Sequence, residues 1–188
     1  DPRRTSDRGR ITPMTDPDTI PAELAGRFRS RLVLKQDVFS TVERGTFLTP
    51  DGEVEAVLRR IDLVPWWSAG IARHFLKRGA RGLEVAGGLG VAPPLLYRGQ
   101  AALVRGWIDG LPMHIAKPEG DEQYFRSARR ALRSLHRECL THNDLAKEQN
   151  WLRTPTGYAS LTDFQLATRF SRRGAMFRIA AYEDLRHM

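Results

Sequence analysis

The sequence predicts an α+β chain in two lobes: a five-stranded antiparallel first lobe with one inserted helix, then a reduced, mainly helical second lobe. Three observations predict it. Short runs of β-branched and apolar residues, separated by turn residues, fill 31–61 and recur at 95–107. A segment with 3–4-residue apolar spacing divides the two groups of strands, and a stronger one follows them at 122–136. After that second helix come two polar segments, 141–150 and 161–165, which gather Asp144, Lys147, Asn150 and Asp163.

Taken in order, residues 1–26 carry four prolines and many charges and are expected to form a flexible arm. Residues 27–106 make the first lobe. The runs 31–35, 41–48 and 54–61 are predicted to form an antiparallel meander, with Gly52 free to take positive φ in the turn at 49–53. Pro65 opens a helix predicted at 66–85, with Ile71 and Phe75, joined by Trp67 and Arg78, on its stripe. Gly79 and Gly82 are expected to weaken its second half. Strands at 95–97 and 101–107 turn at Gly99. Asp109, Gly110 and Pro112 then break the sheet near the start of the second lobe, 107–188. The helix at 122–136 buries Phe125, Ala128, Leu132 and Leu135 and carries Arg126, Arg129, Arg130 and Arg133 on other faces, with Arg137 just beyond. Those arginines form a candidate strip for a phosphate-bearing acceptor.

The composition is that of a soluble globular protein, 41% apolar and 28% charged, with no apolar run near the ~20 residues that span a bilayer. The polar segment 1–10 has no apolar leader core, and the single Cys139 excludes an intrachain disulfide. A cytoplasmic location is therefore expected. The net charge is +8, from 30 basic residues of which four are lysines. Such a surplus favours partners that bear phosphate, such as anionic lipids or glycans. No nucleic-acid-binding signature accompanies it, so nucleic acid is not an expected partner.

The chemistry lies in the two polar segments. Phosphoryl transfer from ATP needs a carboxylate for the attacking hydroxyl and a cation near the moving phosphate. It also needs a carboxamide and a second carboxylate to hold Mg²⁺. His142, Asp144 and Leu145 match the His-Arg-Asp-Leu start of a kinase catalytic loop, with Asn143 in place of the arginine. The metal-binding asparagine of that pattern lies five residues after the aspartate, where Gln149 stands here. One inserted residue restores both Lys147 and Asn150, so Asn150 is the expected ligand and Gln149 the alternative. Asp163-Phe164 ends a short strand as the Asp-Phe-Gly element does, with Gln165 in place of the glycine. A hairpin turning at 155–157 would bring Asn150 and Asp163 together.

With these motifs, residues 103–166 resemble the atypical bacterial kinases of the lipopolysaccharide core (Kdo/WaaP) family and the related RIO-type kinases. The segment 107–112 resembles their hinge, and a weaker likeness reaches back to Arg31. The resemblance implies a minimal protein-kinase-like two-lobed fold that uses ATP and Mg²⁺. Asp144 and Lys147 would be catalytic, and Asn150 and Asp163 would bind the metal. Arg59 would stand in for the phosphate-binding lysine, with Arg60 as the other candidate and Glu84 as the candidate partner. Phe39, Ser40, Val57, Trp107 and Ile108 would line the nucleotide site. The implied acceptor is a hydroxyl on a core sugar of an anionic glycolipid or on a protein Ser or Thr, with peripheral contact to the inner membrane. No glycine-rich loop is present between the first two strands, since 36–40 has no glycine. Two other readings therefore stand: a pseudokinase-type nucleotide-binding interaction module, and a small-molecule kinase.

Overall fold

The computed structural model describes residues 20–188, so most of the expected arm, 1–19, lies outside the described residues. Its last residues belong to the folded lobe. Ala22–Leu24 forms a 3-10 turn and Leu24 is fully buried.

Five antiparallel strands build the first lobe: β1 (Phe28–Gln36), β2 (Thr41–Thr49), β3 (Gly52–Arg60), β4 (Leu95–Arg98) and β5 (Ala102–Gly106). Their order across the sheet is β1-β2-β3-β5-β4. The first three form the expected meander, and Gly52 takes φ 125° where β2 turns into β3. Side chains alternate across a strand, so the sheet has two faces with different tasks. Ala56, Leu58, Ala102 and Val104 pack on Leu24, Phe28 and Phe47 in a small outer core. Val57, Arg59, Leu103 and Arg105 point the other way, into a cleft shared with the second lobe.

Between β3 and β4 runs helix α1 (Ala69–Gly88), which starts three residues later than expected because 66–68 form turns closed by Ser68 N–H donating to Pro65 O. The expected stripe is only partly packed: Phe75 meets Phe39 edge-on and Arg78 bonds inward to Leu166 O and Ala167 O. Ile71 and Trp67 face solvent, and the buried side is Ala72, Leu76, Gly79, Ala80, Gly82, Leu83 and Ala86. Small residues win this face because α1 lies close against a 3-10 turn at Phe164–Leu166. A Cβ at Gly82 would sit 2.8 Å from Phe164 Cβ. Gly79 and Gly82 thus permit close packing, and the helix runs through them unbroken.

The second lobe comprises β6 (Leu111–Pro112), α2 (Met113–Ala116), α3 (Glu122–Arg137), β7 (Leu140–Thr141), β8 (Trp151–Arg153), β9 (Ala159–Leu161), β10 (Thr168–Arg169) and α4 (Ala175–Arg186). β6, β8 and β9 form one small sheet, while β10 pairs with β7. Asp121 caps α3 by accepting the Tyr124 N–H at 3.0 Å, a favoured use of Asp at a helix start. The buried side of α3 is Tyr124, Ser127, Ala128, Ala131, Leu132 and Leu135, with Phe125 only half-buried. One core continues from α1 through α3 to β9 and Phe164, so the lobes share their apolar interior. No helix among the described residues is long and apolar enough to cross a membrane.

Candidate active site

The segment after β7 is held from beneath by a residue far along the chain. Asp184, on α4 and 1% exposed, accepts the backbone N–H groups of His142 and Asn143, each at 2.8 Å. His136 on α3 adds a contact of 3.1 Å to the same carboxylate. One buried carboxylate therefore fixes the backbone on which Asp144 sits. Asn143 takes φ 64°, a left-handed conformation that Asn tolerates better than most residues. Its side-chain amide donates to Leu166 O at 2.9 Å and Thr168 Oγ1 at 3.0 Å. His142 is fully buried, with one ring nitrogen 2.8 Å from Thr162 O and its ring 4.7 Å from that of Phe164. Burial pushes its pKa down, and nearby acceptors only partly offset this, so the ring is neutral near pH 7.

On this base three side chains converge. Lys147 Nζ donates to Asp144 Oδ2 at 2.9 Å, and Asn150 Nδ2 donates to the same oxygen at 3.0 Å. Asn150 also donates to Asp144 O at 2.8 Å and is 5% exposed, whereas Gln149 is exposed. With the amide nitrogen so engaged, the Asn150 carbonyl oxygen is left as a ligand atom. The hairpin β8–β9 returns the chain as expected: Thr162 N–H donates to Asn150 O at 3.0 Å, which sets Asp163 next to Asn150. Asp163 takes φ 60° and faces a cleft of about 180 Å³ lined by Val42, Val57, Arg59, Arg105, Asn150 and Thr162.

The roof of that cleft is basic. Arg59 Nη1 donates to Asp163 Oδ1 at 3.1 Å, joining the first lobe to the second. Burial pushes the Asp163 carboxyl up, but the Arg59 charge and hydrogen bond outweigh it and hold the group below the usual carboxylate range. Beside Arg59 stands Arg105, which sequence reasoning did not single out. Among the described residues no carboxylate bonds its guanidinium, which donates to Gly106 O at 3.2 Å. Burial and the Arg59 charge lower its pKa to about 10. The alternation of β5 could have found it, since Arg105 shares a strand face with Leu103.

Other expected residues lie elsewhere. Glu84 faces Arg98 at 3.6 Å and does not reach Arg59, whose partner is Asp163. Arg60 points to the opposite face, where Asp62 at 2.5 Å and Glu43 at 3.4 Å neutralise it. Trp107 and Ile108 do not line the cleft. The Trp107 N–H donates to Glu55 O at 3.0 Å, and its ring lies 3.9 Å from the Arg44 guanidinium. Phe39 and Ser40 also stand apart, because the Asp37 carboxylate accepts both their N–H groups at 2.8 and 2.9 Å. Those amides are thus engaged by an internal anion. Phe39 packs edge-on against Phe75, and Ser40 is buried. α3 contributes nothing to the cleft lining, and its arginines occupy the exposed helix face. Val57 lines the cleft as expected.

The donor set fits a small hard cation. Mg²⁺ binds through one or two carboxylates, waters and substrate phosphates and needs no all-protein cage. Asn150 and Asp163 match that demand, and no group of three His, Cys, Asp or Glu that could hold a metal ion by itself occurs among the described residues. No protein-family model and no curated protein matches the chain.

Proposed function

We propose that this protein is an ATP- and Mg²⁺-dependent phosphotransferase with a minimal kinase-like fold, moving the γ-phosphoryl group to a hydroxyl acceptor. The observation that carries the reading is the convergence of Lys147 and Asn150 on one oxygen of Asp144, with Asp163 beside Asn150. That set matches the needs of phosphoryl transfer in residue type and position. Asp144 takes the proton of the acceptor hydroxyl as the acceptor oxygen bonds to the γ-phosphorus. The bond from that phosphorus to the β–γ bridging oxygen breaks, and ADP leaves with the electron pair. Lys147 steadies charge on the transferring group. Asn150 and Asp163 would hold Mg²⁺, which would supply charge that neutralises the phosphates. Arg59 and Arg105 offer forked donors to the phosphates, and for this Arg59 must release Asp163. The proposed acceptor is a hydroxyl of an anionic glycolipid, with a protein Ser or Thr or a small molecule as the alternatives.

A second reading is a nucleotide-binding module without transfer. It is favoured by the loop at 37–40, whose amides serve Asp37 and leave no glycine-rich cover for phosphate. Calorimetry and transfer of labelled phosphate separate the two readings. The phosphotransferase reading expects wild type to bind Mg·ATP and turn it over, and Asp163→Asn to lose at least about tenfold in Mg·ATP affinity. Affinity unchanged in that variant removes Asp163 from the site. Binding without any turnover supports the second reading.

A further inference from the structure

The turn between β3 and α1 shows two adjacent indoles to solvent. Trp66 is 89% exposed and Trp67 58%, with Leu63 at 50% and Ile71 at 51% beside them in sequence. Single exposed apolar side chains are ordinary, but four within nine residues, two of them tryptophan, mark an interaction surface. The turn is tied down. Ser68 is fully buried, and its hydroxyl lies 2.5 Å from Val38 O and 3.0 Å from Pro65 O. That bond brings Val38, itself 42% exposed, onto the same end of the lobe.

The surface continues along α1 as positive charge. Arg73, Lys77 and Arg81 are exposed at four-residue intervals and so share one face of the helix, with His74 next to them. No acidic residue occurs between Leu63 and Leu83, and the flanking Asp62 and Glu84 are paired with Arg60 and Arg98. The remaining cation of that stretch, Arg78, turns inward and donates to Leu166 O, Ala167 O and Thr168 Oγ1.

An indole has an apolar body and a polar N–H, and it settles at the headgroup level of a bilayer. A row of Lys and Arg beside it complements anionic headgroups. We propose that the turn at 63–68 and the exposed face of α1 dock this protein on an anionic lipid bilayer. Trp66 and Trp67 enter the headgroup layer, and Arg73, Lys77 and Arg81 lie over lipid phosphates. The proposal stands without the catalytic reading, because the cleft is lined from the opposite face of α1 by Gly79 and Leu83.

Flotation of the full chain with vesicles tests it. Wild type is expected to bind phosphatidylcholine vesicles containing phosphatidylglycerol, to bind phosphatidylcholine alone at least about tenfold more weakly, and to lose binding as salt rises. Indole emission should shift to the blue on binding. Trp66→Ser/Trp67→Ser and Arg73→Glu/Lys77→Glu should each lower partitioning at least about tenfold while keeping the wild-type melting curve, since all four side chains are exposed. Absence of wild-type binding to the anionic vesicles overturns the proposal, as does equal binding by the serine variant or to phosphatidylcholine alone. Self-association through this patch without vesicle binding overturns it too. None of these readouts involves ATP, so failure here leaves the phosphotransferase reading untouched.

Discussion

The floor of the cleft and its roof hold charge in different ways. On the floor, Asp144 shares one carboxylate oxygen with Lys147 and Asn150, and the backbone below it hangs from Asp184. Asp144 and Asp184 are each engaged by several donors, and of the side chains among them Lys147 alone is largely exposed. On the roof, Arg59 spans the gap to Asp163, while Arg105 beside it has no carboxylate partner among the described residues. The loop at 37–40, where a phosphate cover is expected, is closed on its own carboxylate. The floor is organised without ligand, whereas the roof holds more positive charge than its neighbours neutralise and is suited to receive a polyanion.

The floor breaks most easily at Asp184. Replacing it with Ala leaves the backbone N–H groups of His142 and Asn143 without their acceptor. A loss of about 3 kcal/mol in unfolding free energy is expected by denaturant titration. Transfer should fall further than the change in folded population explains, because Asp144 is no longer held. A variant with wild-type stability would show that the segment holds its shape by other means.

On the roof the sign reverses. Arg105→Met removes a half-buried charge that has no carboxylate partner among the described residues and is expected to raise stability slightly, by less than about 1 kcal/mol. The same change should weaken Mg·ATP binding about tenfold by calorimetry, since one forked phosphate donor is gone. Lower stability with unchanged affinity would make Arg105 a structural residue and remove the contrast between the banks.

What the sequence disclosed follows the same division. The meander, the helix at 122–137 and the hairpin between Asn150 and Asp163 were legible because periodicity, turn residues and spacing are local signals. The grouping of Asp144, Lys147 and Asn150 is legible from spacing too, and Asn150 is buried where Gln149 is exposed. Asp184 was not, because it acts on residues some forty positions earlier through α4. The packed face of α1 was missed for a different reason. Its partner, Phe164, needs small residues opposite it, and a search for large apolar side chains selects the solvent face instead. Arg59 is legible from its strand position, but the sequence leaves its partner open and offers only Glu84, which is exposed. The true partner lies 104 residues along the chain, at Asp163.

A smaller effect sharpens the description of the floor through pH. The His142 pKa is lowered by burial, so the unfolded chain takes up a proton that the folded chain refuses. Its contribution to stability is fully present above the unfolded value of about 6.5 and is lost as pH falls through that value toward the lower folded one. In a proton NMR titration the His142 midpoint is expected to lie below that of an ordinary histidine. A midpoint at the ordinary value would mean that the ring is open to solvent.

The most direct test of the central claim is single-turnover phosphoryl transfer at saturating Mg·ATP, comparing wild type with Asp144→Asn. As the proposed base, Asp144 would act on the acceptor and not on the nucleotide, so Mg·ATP affinity is expected within about twofold of wild type and the transfer rate lower by about 10²–10⁴-fold. Equal transfer rates in the two proteins would contradict it.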